Sequence, residues 1–206
     1  MAETHYGPLE PTPGIGPRER PQEPPQLSER RMSLSDPRVS QPYVARSYLA
    51  PERDPGDQKT AAALTILADL LGGSSQTSLL ARRLQFEAGQ AVYANAGYDG
   101  TAYDDTTFSV SVVPAEGVSL VEAETAMDGV ISEFLKDGVD AEQFRRVKTR
   151  IRAAMIYAED DIDGLARRYG EALTTGLSVE DVKAWPEVLA AVTEEDVLAA
   201  ARKVFD

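Results

Sequence analysis

Apolar and polar positions along this 206-residue chain alternate with two different periods, and each period predicts a different element. Period-two stretches at 30–34, 42–49, 91–98 and 106–113 read as strands, with Asp36-Pro37 as a turn between the first two. In the last of them Phe108, Val110 and Val112 alternate against Thr107, Ser109 and Ser111. Helical spacing begins after Asp57, a candidate cap, where Ala62, Leu64, Ile66, Leu67, Leu70 and Leu71 form one stripe that Gly72-Gly73 stops. A second helix is predicted over 77–88, ending at Gly89. Ser119 with Glu122 makes a capping box for a helix to Lys136, and Asp140 caps another from 141 to about 158. Their apolar faces are Val121, Met127, Val130, Ile131 and Phe134 in one, and Phe144, Val147, Ile151 and Met155 in the other. Three more helices follow over 162–175, 178–189 and 193–204.

The order is strand, strand, helix, helix, strand, strand, then a run of helices, which contradicts a helix after every strand. It predicts an α+β, two-layer domain: a mixed, mostly antiparallel sheet with helices packed on one face. The half-polar alternation in 106–113 predicts that the other face of the sheet meets solvent. Eleven of the 13 prolines precede Asp57, and their density over 7–28 predicts an extended linker, because proline supplies no backbone donor to a helix or inner strand. The chain to residue 56 holds 7 basic and 8 acidic groups, so most of the acidic excess belongs to the folded part.

A net charge of −13 has the wrong sign for phosphate backbones, which disfavours nucleic acid as a partner. No stretch approaches the length of a membrane span. With no cysteine and one histidine, His5, the chain can form neither a disulfide nor a zinc site needing two imidazole or thiolate ligands. Glu159, Asp161, Asp163 and Gly164 occupy four positions of a calcium-loop pattern. The twelfth, where a bidentate glutamate belongs, is Gly170, so the segment reads as an acidic turn with Asp163 capping the next helix. Arg145, Lys148 and Arg152 share a helix face that reads as solvated and paired with surrounding carboxylates. Asp104-Asp105 reads as loop, Gly72-Gly73-Ser74-Ser75 as a helix stop lacking the lysine of a phosphate loop, and Trp185-Pro186 as a kink or restart with the indole in the core. These residues assemble no nucleophile, base and oxyanion donor.

Several stretches in fixed order nonetheless carry a resemblance: His5-Tyr6-Gly7-Pro8, Gln41-Pro42-Tyr43, Tyr48-Leu49-Ala50-Pro51, 67–73, Tyr98-Asp99-Gly100, Arg168-Tyr169-Gly170-Glu171-Ala172 and Trp185-Pro186. Together they resemble the C-terminal half of bacterial M16 peptidases, zinc enzymes related to pitrilysin, insulin-degrading enzyme and mitochondrial processing peptidase. The resemblance implies two homologous domains facing each other across a chamber for unfolded peptide, the first carrying an inverted H-x-x-E-H zinc motif. It implies that residues 1–28 are the tail of that first domain plus a linker, that 29–206 are the second domain, and that zinc lies on the absent domain or on a partner chain. The partners so implied are a zinc-bearing M16 domain or subunit, in a homo- or heterodimer, and unfolded peptide. The parent would be periplasmic or cytoplasmic.

Many relatives supply a substrate-facing arginine and tyrosine seven residues apart, in a segment like L-R-x-x-x-G-L-A-Y. The matching stretch 84–92 has Gln85 for the arginine and Val92 for the tyrosine; shifting the tyrosine to Tyr93 puts Phe86 at the arginine position. Neither glutamine nor valine repeats a charge-assisted donor. The resemblance thus implies a non-catalytic domain walling the chamber, or a catalytically inactive scaffold of the same fold.

Overall fold

Two serines and two aspartates start four of the helices, each accepting a hydrogen bond from a backbone N–H that the helix cannot satisfy. Ser119 and Glu122 form the expected capping box, Glu122 N donating to Ser119 Oγ at 3.2 Å and Ser119 N to Glu122 Oε2 at 2.8 Å. Asp140 accepts from Gln143 N, Asp161 from Gly164 N, and Ser178 from Asp181 N. The cap of the fifth helix is therefore Asp161, two residues before the expected Asp163.

The computed structural model describes residues 2–10, 12–16 and 26–205, which fall into two units, 1–34 and 35–206. The first holds α1 (Ala2–Tyr6), with His5 exposed, and exposed chain in neither helix nor strand at 29–34. The strand expected at 30–34 joins no sheet; Met32 and Leu34 are almost fully exposed, so the alternation has no surface against which to bury its apolar side. The linker expected over 7–28 falls in part on residues 11 and 17–25, outside the described residues.

In the second unit the order is β1 (Val44–Ala50), α2 (Lys59–Gly72), a π-helical turn (Ala81–Glu87), β2 (Ala91–Tyr98), β3 (Thr106–Pro114), then α3 (Leu120–Asp137), α4 (Ala141–Tyr157), α5 (Ile162–Thr174), α6 (Val179–Ala191) and α7 (Glu194–Phe205). The sheet is antiparallel with β3 central, in the order β1-β3-β2. Phe108, Val110 and Val112 of β3 are fully buried with Ala94 and Ala96 of β2, against the stripe of α2 and Met127, Phe134, Val197 and Val204. Every residue of the α2 stripe is buried as the spacing predicted, whereas Val121 at the start of α3 is exposed. The architecture is the expected α+β arrangement, with an all-antiparallel sheet among the described residues.

Arg46 of β1 reaches into the helical layer, donating to Glu124 at 2.7 Å and pairing with Asp128, both on α3. These contacts, Asp128 foremost, hold its guanidinium firmly charged. At the start of α2 the residue in the cap position is Gln58 rather than the expected Asp57, and its side chain does not cap. It accepts instead from the Arg53 guanidinium at 2.6 Å and donates to Asp181 O at 3.2 Å. The Arg53 guanidinium lies 3.9 Å from the centre of the half-buried Trp185 ring. α6 runs through Pro186 without restarting, so the Trp185-Pro186 pair marks this contact and not a break.

Asp181 joins the cap of α6 to the loop before α2, accepting from Ser178 Oγ at 2.7 Å and from Gly56 N at 2.9 Å. The Ser178 hydroxyl, then the Ser178 and Gly56 N–H groups, hold its carboxyl below the ordinary value of 3.8. Its folded pKa is thus below its unfolded one, so the contribution is complete above 3.8 and is lost as pH falls through the folded value. Asp181→Ala should lower the melting temperature at pH 6 by about 2–4 °C. Thermal scans of both proteins from pH 6 to pH 2 should show that gap closing at the acid end; a constant gap would contradict this assignment.

Candidate functional site

The chain between α2 and β3 brings together Gln85 and Val92, the two positions singled out by the resemblance. Leu79 and Leu80 begin as helix, but from Ala81 the turn widens, and Ala88 N donates to Arg83 O rather than to the carbonyl four residues back. Such single wide turns recur at functional sites. The chain then reverses at Gly89, whose φ of 62° suits glycine, and enters β2. The helix expected over 77–88 is therefore shorter, and π-helical for most of its length.

At the start of β2 the register with β3 shifts: Ala91 faces Pro114 and Tyr93 faces Val113, leaving Val92 as the extra residue of a bulge. Val92 and Tyr93 are both exposed, and the partly buried Gln85 turns its amide toward the strand. With Nε2 facing the carbonyl and Oε1 facing the N–H, that amide donates to Val92 O and accepts from Ala94 N, both at 3.2 Å. Sequence matching paired residues 85 and 92 by spacing alone; the contact between them is through the main chain of Val92.

Beyond the bulge, Tyr93 shares the solvent-facing side of the sheet with Asn95, Gly97, Ser109 and Ser111, opposite in register. The serines are satisfied within the sheet, Ser109 Oγ donating to Gly97 O at 3.3 Å and Ser111 Oγ to Asn95 Oδ1 at 3.0 Å. On β1 the same face carries the exposed Ala45, Ser47 and Leu49. The result is a shallow surface of small neutral side chains with Tyr93 and Leu49 at its sides. It can lie against extended polypeptide but offers no acid, base or cation for bond cleavage.

The other sequence candidates are used structurally. Lys148 donates to Ala190 O at 2.6 Å and Val192 O at 2.8 Å, closing the end of α6, and Arg146 and Arg150 pair with Glu142 and Asp69. Arg152 lines a groove with Ile66, Ile151, Met155 and Leu189, between α4 and α6. Asp161 is engaged as a cap, Asp104 and Asp105 lie in the β2–β3 loop, and Gly73 ends α2 with its N–H on Asp69 O. Among the described residues no three His, Asp or Glu side chains are placed to share a metal ion, and no helix is long and apolar enough to cross a membrane.

Residues 1–151 match the family described as the peptidase M16 inactive domain. The chain belongs to the M16 peptidase family, as its inactive domain. Among solved structures, this M16 domain resembles a protease from Helicobacter pylori, with a TM-score of 0.75 and 16% identity over 83% of this chain and 40% of that one. A peptidase M16 inactive domain from Pseudomonas fluorescens gives 0.64 and 20% identity over 80% and 38% of the two chains. An inactive peptidase domain from Bordetella parapertussis gives 0.69 and 15% identity over 79% and 85%. The chain thus spans about two fifths of the Helicobacter protein and most of the Bordetella domain. No curated protein matches it by sequence.

Sequence reasoning missed the bulge, the π-helical turn and the Arg53–Trp185 contact. The bulge alone had a visible trace: Val92 and Tyr93 are two large apolar residues in succession, where strict alternation would bury one of them.

Proposed function

We propose that this M16 inactive domain walls one side of a peptide-holding chamber, opposite a zinc-bearing M16 domain on the same polypeptide or on a partner subunit. Residues 1–28 then form the tail of a preceding domain and a linker, and 29–206 the walling domain. The observation that carries this reading is the solvent-facing sheet surface, uncharged and built from small side chains, which enclosure of an extended peptide needs and which does no chemistry itself. Positions 85 and 92 lie beside that surface as Gln85 and Val92 and supply neither a guanidinium nor a phenol to a substrate carbonyl. Zinc and its activated water belong to the other domain.

The test pairs two preparations. With added zinc, the 206-residue chain alone should leave an unstructured fluorogenic peptide intact. Co-expressed with its H-x-x-E-H counterpart, it should support cleavage that a chelator abolishes. Metal-dependent cleavage by the isolated chain would overturn the reading. A zinc domain that cleaves equally fast without this chain would favour a scaffold instead.

A further inference from the structure

Among the described residues β2 ends the sheet on one side, and no neighbouring strand pairs with its outward N–H and C=O groups. Bare edges of that kind accept extended polypeptide, whether a ligand or a second copy of the same chain. This edge is covered instead by the chain's own preceding segment. At its start, Gln90 N donates to Leu84 O at 2.8 Å. At Val92 and Ala94, the Gln85 amide accepts one strand N–H and donates to one strand carbonyl, each at 3.2 Å. Further along, α2 abuts the strand so closely that a β-carbon on Gly72 would stand 1.7 Å from Ala96 N.

The central contact is the informative one. Val92 O and Ala94 N are the acceptor and donor that one residue of an added parallel strand would engage, and the single planar amide of Gln85 engages both. We propose that Gln85 is a strand mimic: its side chain occupies the pairing groups of β2 and closes this edge to extended peptide and to self-association. The π-helical turn sets it there, because Gln85 lies within the widened turn that ends three residues before the strand it caps. The inference does not rest on the chamber reading and holds whether or not a zinc domain faces this one.

Gln85→Met tests it in the full chain, since methionine keeps the length and apolar stem of glutamine but offers no amide. Amide hydrogen exchange followed by NMR should be about tenfold faster at Ala94 in the variant, with Val110 in the central strand unchanged. In Gln85→Ala, a fluorescent synthetic copy of residues 106–113, the segment that already pairs with β2 on its other side, should bind at micromolar concentration and leave the unaltered chain unbound. Equal exchange at Ala94 in the folded Gln85→Met chain would overturn the proposal. That comparison decides it even if Gln85→Ala does not fold.

Discussion

Phe108→Ala should lower the melting temperature of this domain by roughly 6–20 °C. Phe108 lies near the start of β3, fully buried, with Tyr98 of β2 stacked at 6.5 Å and the Phe205 ring edge-on at 5.5 Å. Phe205 also meets Tyr48 of β1 at 5.0 Å, so the four rings join all three strands to the end of α7. Truncation removes the ring's burial and leaves a cavity that a sheet held on both sides cannot close, a cost of about 3–5 kcal/mol. At about 2–4 °C per kcal/mol for a chain of this size, the shift is large and measurable by calorimetry. Exchange in α7 should rise with it, because its last turn loses the ring it packs on. A shift below about 3 °C would mean that the aromatic cluster does not hold the layers together.

Gly72→Ala should be comparably damaging, for the opposite reason. The added methyl would stand 1.7 Å from Ala96 N and 2.5 Å from the Asn95 carbonyl carbon, both backbone atoms that no rotamer change can move aside. Helix α2 and strand β2 must separate, and overpacking of this kind costs about 3 kcal/mol or more. Gly129 on α3 is the control, since a β-carbon there meets nothing within 4 Å. Gly129→Ala should be neutral or slightly stabilising, alanine being the better helix former. Denaturant midpoints of the two variants check this, and equal midpoints would show that α2 does not need close contact with β2.

These residues also mark where sequence reading succeeds and where it stops. The alternation in β3, the α2 stripe and the caps at Ser119 and Asp140 were legible because each depends on neighbours within a few positions. Gly72 was legible as a helix stop, yet its dominant role is the approach of a strand more than twenty residues away. Gln58 displaced Asp57 at the start of α2, and Asp57 remained exposed, because the Gln58 side chain serves Arg53 and the backbone of Asp181, contacts that spacing does not encode. The stretch at 30–34 had the right pattern for a strand, but a pattern supplies only one side of a pairing.

For the candidate site the division is similar. Matching the stretch to a known segment singled out Gln85 and Val92 from the sequence. The hydrogen bonds of the Gln85 amide to Val92 O and Ala94 N could not be read there.

By itself, the sequence determined the class of fold, the helix boundaries at Ser119 and Asp140, the buried face of the central strand and the shortage of imidazole and thiolate side chains. Those follow from local periodicity and residue chemistry. Tertiary structure alone decided that β3 is the middle strand, that Val92 bulges, and that one glutamine amide meets the edge of β2. Each of those depends on groups far apart in the chain meeting in one geometry, which local preference does not specify.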